Sequence, residues 1–354
     1  MRPVAFTGRL GIQHPLVLAP MAGGPSTPAL CAAVSEAGGL GSHGGAYLPP
    51  ARLREEIRAI RSATSRPFAI NLFVDEGDEG TADDERTLAR AREGVARYRA
   101  ELGLSPAGTP RSEGSLRESF TVLLEERVPV FSFTFGIPPR EMLDASRKAS
   151  ILTMGTATTV AEARALEEAG VDFICAQGAE AGGHRGTFDR DAEPGLVGTF
   201  ALVPQVADAV RVPVIAAGGI MDGRGYVAAL ALGACAVSMG TAFLRCPEAG
   251  TSAPYRAALR EARDDDTVIT RAFSGRAARG LQNRFTREMA GAALAPFPAQ
   301  NLLTREIRAA AAKAGDAGLL SLWAGQGAPL AREKPARELV AEILRDAEGV
   351  RARL

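Results

Sequence analysis

Between residues 16 and 239, short runs of Val, Ile, Leu and Phe alternate with amphipathic stretches about ten to fifteen residues long. This spacing predicts parallel strands joined by crossover helices. Eight runs stand out, at 16–21, 40–42, 67–73, 129–135, 151–155, 171–176, 213–217 and 234–239. The punctuation agrees with that division. Helices close on glycine, as in Glu36-Ala-Gly-Gly-Leu40, Glu168-Ala-Gly-Val171 and Leu232-Gly-Ala234, where a left-handed cap is needed. Strands open on proline, as at Pro15, Pro67, Pro129 and Pro213, because a first strand residue can do without its N–H. Thr27 before Pro28, and Asp222, read as helix N-caps. Eight β/α units with right-handed crossovers over about 250 residues predict an α/β fold, the closed (β/α)8 TIM barrel.

Two segments fall outside the repeat. Residues 75–114 begin with Asp75, Glu76, Asp78, Glu79, Asp83 and Asp84, continue as a charged helix to about Leu102 and end in a Pro/Gly/Ser-rich loop. This reads as an insertion after the third strand, on the C-terminal face where barrels bind substrates. The expected division is therefore a barrel over 1–245, carrying that insertion, and a mostly helical extension over 246–354 packed on it, since no low-complexity linker separates the two.

Composition narrows the function. The chain of 354 residues is 46% hydrophobic and 23% charged, with 41 basic and 41 acidic residues. A zero net charge offers no global field toward nucleic acid or an anionic membrane, which favours a small-molecule role. No apolar run approaches a membrane span, and the run 16–19 is broken by Pro20, so a cytoplasmic location is expected. Cys31, Cys175, Cys235 and Cys246 form no C-x-x-C pair and read as reduced, mostly buried thiols. His14, His43 and His184 form no zinc pattern, so no metal is expected.

Gly39-Leu-Gly-Ser-His-Gly44 matches G-x-G-x-x-G, but its first glycines flank a strand residue, the next helix starts near Pro50, and Arg61 stands where a ribose-binding carboxylate is required. It is a decoy. More informative are Ala216-Ala-Gly-Gly-Ile220 and Ser238-Met-Gly-Thr241, at the ends of the seventh and eighth runs. Bare glycine there lets backbone N–H groups approach an anion, the usual phosphate cradle of this fold; tight loop closure is the alternative. The sharpest feature is Gln177-Gly-Ala-Glu-Ala-Gly-Gly-His-Arg-Gly186 after the sixth run. An imidazole held there suits proton transfer to or from carbon, against the alternative of a histidine on a flexible surface loop.

Residues 177–186, Ala19-Pro-Met-Ala22, Asn71, Ala217-Gly-Gly219 and Ser238-Met-Gly-Thr241 together resemble the nitronate monooxygenase family, formerly the 2-nitropropane dioxygenases. Phe273-Ser-Gly-Arg-Ala-Ala-Arg279 and Trp323-Ala-Gly-Gln326 resemble its post-barrel segments. The resemblance implies an FMN enzyme. Carried over position by position, Met21 and Ala22 would lie beneath the flavin ring; Asn71, Gln177, Gly182, Gly183, Gly218, Gly219, Ser238, Met239, Gly240 and Thr241 would hold FMN; and His184 would be the catalytic base. The amides of Asn71 and Gln177 also suit the pyrimidine edge of a flavin. The implied reaction is oxidation of an alkyl nitronate, or a nitroalkane first deprotonated by His184, with O2 as acceptor, giving a carbonyl compound and nitrite. Two roles are open to Arg185: favouring an anionic nitronate electrostatically, or, as often for an Arg in such a loop, a structural one. Two other readings stand beside it: an FMN-dependent NAD(P)H reductase of quinones or enoyl thioesters, and a flavin- or phosphate-binding protein without turnover.

Overall fold

A computed structural model describes residues 2–74, 82–108, 114–189 and 191–354. The strands are β1 (Leu16–Leu18), β2 (Gly41–Gly44), β3 (Phe68–Phe73), β4 (Val130–Thr134), β5 (Leu152–Ala157), β6 (Phe173–Gln177), β7 (Gly183–His184), β8 (Val214–Ala217), β9 (Ala236–Met239), β10 (Thr267–Thr270) and β11 (Ala278–Leu281). Eight of them form one parallel sheet in the order β1-β9-β8-β6-β5-β4-β3-β2. Its edges meet at a parallel bridge between Val17 and Leu40, with Leu18 N–H donating to Leu40 O at 2.9 Å and Leu40 N–H to Leu16 O at 2.8 Å. The sheet is the expected (β/α)8 barrel, each strand within three residues of its predicted run.

Period-two alternation sorts the strand residues into two layers. Leu16, Leu18, Ile70, Leu72, Phe131, Phe133 and Met239 pack against the surrounding helices. Val17, Ala69, Val130, Met154, Phe173, Ile215 and Ala236 share a second cluster with Phe6 and Leu10 of the helix Arg2–Leu10. That helix plugs the N-terminal mouth, and the rings of Phe6 and Phe173 meet edge to face at 5.1 Å. The opposite mouth is left for chemistry. The expected caps are present: Thr27 accepts from Leu30 N–H, Asp222 from Arg224 N–H, and Gly170 ends its helix at φ +83°.

Asp75, Glu76, Asp78 and Glu79 of the insertion lie outside the described residues, as do the side chains of Asp83 and Asp84. Its helix, Ala82–Glu101, packs through Val95 and Tyr98 on post-barrel residues including Phe285 and Ile307, and Arg99 pairs with Glu306 at 2.6 Å. Beyond the barrel, β10 and β11 form an antiparallel hairpin whose second strand pairs with β7, setting Ala278 opposite His184. The helix Ala336–Arg351 packs on the helices Gly223–Ala231 and Pro28–Glu36, on either side of the β9–β1 seam. It takes the eighth place in the outer helical ring.

The contact between that helix and Gly223 is backbone-close: a Cβ at Gly223 would stand 2.2 Å from the amide nitrogen of Ala347. Gly223→Ala should therefore destabilise the fold by about 1–3 kcal/mol through overpacking. Gly349→Ala, on the same helix with nothing within 4 Å, should be neutral or stabilising by up to about 1 kcal/mol. Urea unfolding of the two variants tests the contrast, and equal effects would contradict the packing assigned to the last helix.

Candidate functional site

The C-terminal mouth of the barrel opens into a cavity of about 810 Å³, within the range of sites that enclose a cofactor. Twelve of the thirteen residues singled out in the sequence line it: Met21, Ala22, Asn71, Gln177, Gly182, Gly183, His184, Gly218, Gly219, Ser238, Gly240 and Thr241. Met239 does not. Neighbouring strand residues point to opposite faces, so Ser238 faces the cavity while the Met239 side chain, 1% exposed, turns into the core beneath the helices.

One end of the cavity is built from backbone. The N–H groups of Gly218, Gly219, Gly240 and Thr241 make no hydrogen bond to the described residues. These residues are half-buried or, at Gly219, exposed to the cavity, so four unengaged donors at two neighbouring strand ends are open to an anionic acceptor from outside the chain. The N-terminus of the helix Thr199–Ala209 cannot serve, because Glu180 already occupies it, accepting from Thr199 N–H at 2.8 Å and Thr199 Oγ1 at 2.8 Å. Further along, the Asn71 carboxamide nitrogen donates to Ser132 Oγ at 3.1 Å, which leaves its oxygen as a cavity-facing acceptor. Met21 and Ala22 lie against Gly44, where a Cβ would stand 2.4 Å from Ala22 N. These groups fit a flavin nucleotide: amides for a phosphate, an acceptor for a ring N–H, and a methionine floor.

At the other end stands His184. Gln177 closes its own loop: Nε2 donates to His184 O at 3.0 Å and Oε1 accepts from Gly186 N–H at 2.9 Å. Arg185, 0% exposed, donates through its guanidinium to Gly178 O at 2.6 Å and Gln177 O at 2.8 Å. Its own N–H joins β11 through Ala277 O at 2.8 Å. Ser274 Oγ lies 2.8 Å from His184 Nε2 and engages that nitrogen, while Nδ1 has no hydrogen-bond partner among the described residues. The post-barrel segment 323–326 straps the loops together, with Gly325 N–H donating to Thr241 Oγ1 at 3.0 Å and Gln326 N–H to Glu180 O at 3.0 Å. Gly182 leaves room for that strap, since a Cβ there would stand 2.5 Å from Gly325 N.

The imidazole sits among Phe73, Phe135, Phe297 and Trp323, with ring centroids 5.5–6.2 Å away. Phe135 is held at φ +76°, a costly conformation for a bulky residue, and the Arg276 guanidinium lies 3.9 Å over its ring. Burial lowers the His184 pKa to about 3, and the Arg276 and Arg308 guanidiniums push it the same way. The ring is neutral at physiological pH. Burial also pushes the Tyr47 phenol and the Cys175 thiol, both lining the cavity, up to about 12, so Cys175 is no nucleophile at neutral pH.

Over residues 5–346 the chain matches the family described as nitronate monooxygenase. It belongs to the nitronate monooxygenase family. It is 42% identical over 344 residues to a probable nitronate monooxygenase of Staphylococcus aureus (strain Newman), covering 96% of each chain. Among solved structures, a nitroalkane oxidase from Streptomyces ansochromogenes is similar with a TM-score of 0.92 and 42% identity, over 98% of this chain and 99% of that one. FabK from Thermotoga maritima is similar with a TM-score of 0.75 and 32% identity, over 99% and 97%. The protein is thus an enzyme of a flavin-dependent oxidoreductase family.

Two side chains have their polar groups bound within the loop. Of the two roles open to Arg185 the structure favours the structural one: its guanidinium is buried against backbone carbonyls and fixes the loop of this nitronate monooxygenase family member. Gln177, expected at the flavin edge, has its carboxamide bound to the His184 loop. Ser274, Arg276, Phe135, Tyr47 and Arg308 escaped sequence reasoning as site residues. The first two lie in Phe273-Ser-Gly-Arg-Ala-Ala-Arg279, whose likeness to family tails was the available signal. The others carry no local motif and meet His184 only through folding.

The depressed pKa of His184 has a stability consequence. The native ring resists protonation down to about pH 3, whereas the unfolded chain takes the proton near pH 6.5. Stability is therefore full above about pH 6.5 and falls as pH drops, by about 2 kcal/mol at pH 5. His43, lowered by burial, acts in the same direction. Urea unfolding at pH 7.5 and pH 5.0 should show His184→Asn losing about 2 kcal/mol less than the parent on acidification.

Proposed function

We propose that this enzyme binds FMN and oxidises alkyl nitronates with O2 to carbonyl compounds and nitrite. In this reading Gly218, Gly219, Gly240 and Thr241 receive the phosphate through their backbone N–H groups, and the Asn71 carboxamide oxygen accepts from the ring's pyrimidine edge. Met21 and Ala22 form the floor, while Ser238, Gly182, Gly183 and the backbones of Gln177 and Met239 complete the walls. FMN, when bound, supplies the electron acceptor and the site of O2 chemistry. The nitronate monooxygenase and nitroalkane oxidase relatives support this assignment.

The observation that carries the reading is a neutral imidazole beside two guanidiniums in an aromatic pocket. With Nε2 engaged by Ser274, the ring keeps Nδ1 for a substrate proton. An ionised nitronate needs no deprotonation; it needs compensation of its charge, which Arg276 and Arg308 provide in a site that excludes water. A neutral nitroalkane must give its proton to His184. The imidazolium so formed is disfavoured by the same guanidiniums, but the nitronate formed with it is favoured by them, so the two effects offset. For a nitronate the imidazole then orients the anion. An NAD(P)H reductase of quinones or enoyl thioesters, the other reading of this barrel, presents neutral acceptors and makes no use of the paired positive charge.

Purified protein should carry one FMN per chain, released on denaturation and identified by mass. Gly219→Val, at a backbone φ of +71° that β-branched residues resist, should lose that chromophore. Anaerobic mixing with propionate 3-nitronate should change the visible flavin spectrum, and NADH alone should not; bleaching by NADH alone would transfer the assignment to the reductase. His184→Asn should keep the flavin yet lower turnover of neutral nitroalkanes by about 10²-fold, the scale of a lost general base.

A further inference from the structure

The cavity holds one cation whose chemistry points to the substrate itself. Arg308 reaches it from the helix Ala299–Ala314. Its head is clamped: Nε donates to Thr304 O at 3.3 Å, and Nη2 donates to Asn301 O and Oδ1, both at 2.8 Å. Nη1 has no partner among the described residues, and no described carboxylate lies within ion-pair distance of this guanidinium. Tyr47, on the same cavity, has a buried hydroxyl with no hydrogen-bond partner among the described residues. Its ring meets Phe73 edge to face at 5.4 Å, and Phe73 in turn lies 6.1 Å from the His184 ring.

Fixed charges buried in proteins are ordinarily paired, and buried hydroxyls ordinarily bonded. A clamped, half-buried guanidinium whose Nη1 has no partner among the described residues, with a phenol likewise unpartnered among them on the same cavity, suits a ligand with acceptor oxygens and negative charge. Arg276 suits such a ligand less well, since it donates to Thr187 O and lies over the Phe135 ring. No described carboxylate acts on the Arg308 guanidinium; its neighbours are the neutral Tyr47 phenol and the Arg305 guanidinium. A nitronate presents two coplanar oxygens sharing one charge, the geometry of a carboxylate, which a guanidinium edge and a neighbouring hydroxyl can grip together.

We propose that Arg308 and the Tyr47 hydroxyl form the receptor for the substrate's anionic group, holding the nitro oxygens of a nitronate and setting the preference for ionised nitronates over neutral nitroalkanes. Both act as positioning residues, and proton transfer remains with His184. The identity of the anion rests on the nitronate reading above; the existence of the receptor does not.

The test uses the flavin-loaded enzyme, with isobutyrate as a non-reacting carboxylate of the same shape as propyl-2-nitronate. Calorimetric titration should show isobutyrate binding to the parent protein and at least tenfold weaker binding to Arg308→Met. In steady-state assays Arg308→Met should raise KM for propyl-2-nitronate at least tenfold and lower kcat/KM for it at least threefold more than for neutral 2-nitropropane. Tyr47→Phe should weaken isobutyrate about threefold, and Arg308→Lys should recover part of the affinity. If Arg308→Met fails to fold, Tyr47→Phe and Arg308→Lys decide by the same titration. Isobutyrate affinity unchanged in the variants, no binding to the parent, or equal losses for anionic and neutral substrates would overturn the proposal. An enzyme inert toward nitronates that still binds isobutyrate through Arg308 would sink the nitronate reading and leave the receptor standing.

Discussion

The hydrogen-bond closure made by Gln177 is the constraint on which the site depends. The last residue of β6 grips its own chain seven and nine residues later, turning a glycine-rich loop that could wander into a fixed bracket for one imidazole. The guanidinium of Arg185 fills the inside of that bracket and satisfies carbonyls that the tight turn leaves without partners. The edge is then zipped to β11, a strand nearly a hundred residues away in sequence. A loop closed at three points holds a side chain with little loss of freedom still to be suffered when substrate binds, which is the structural content of preorganisation.

Once the ring is fixed, its charge state follows from its surroundings. Four aromatic rings remove water, and two guanidiniums add positive potential, so the proton leaves the imidazole and the site as a whole favours a negative guest. The opposite end achieves anion affinity by different means. There it comes from unengaged backbone amides and carries no net charge, which suits a permanently bound phosphate. A single cavity thus separates a dipolar end from an ionic end. This arrangement lets a resident nucleotide and a transient anion be bound side by side without competing for the same groups.

The legibility of this protein in its sequence divides along the same line. Strand order, caps and the glycine cradles are local: runs such as 67–73 or 213–217 and pairs such as Gly218-Gly219 announce themselves because the backbone demands them within a few residues. That Ser238 faces the cavity and the Met239 side chain the core is not legible from their adjacency, because which face a strand residue takes depends on the register. The choice between the two roles open to Arg185 is equally closed to sequence, because a guanidinium enclosed by carbonyls and one facing solvent have the same letter. Tyr47 and Arg308 come from distant segments that only the closed barrel and its tail bring to one cavity, and Phe135, from a third, meets the His184 ring there. No spacing rule within the chain encodes such a meeting. The plug helix Arg2–Leu10 lies outside the repeat for a related reason: a single amphipathic helix of about two and a half turns has no repeat to match.

This division also bears on how one barrel can serve different flavin chemistries. The cofactor end is made almost wholly by strand termini of the barrel, whose geometry any member with closed sheet and glycine turns will share. FabK from Thermotoga maritima, at 32% identity and a TM-score of 0.75, shows how far that frame persists. Most of the groups that would tell one substrate from another, Ser274, Arg276, Phe297, Arg308 and Trp323, come from residues beyond the last barrel strand, and Tyr47 joins them from the loop after β2. A change in those helices and loops alters the charge and shape met by a substrate, while the amides of the cradle stay on the barrel's own strand ends and are braced from beyond the barrel where Gly325 N–H donates to Thr241 Oγ1 and Gly182 packs on Gly325. Substrate choice could therefore change through post-barrel residues outside that strap with little effect on the cradle, because the eight-stranded closure sets where its amides stand.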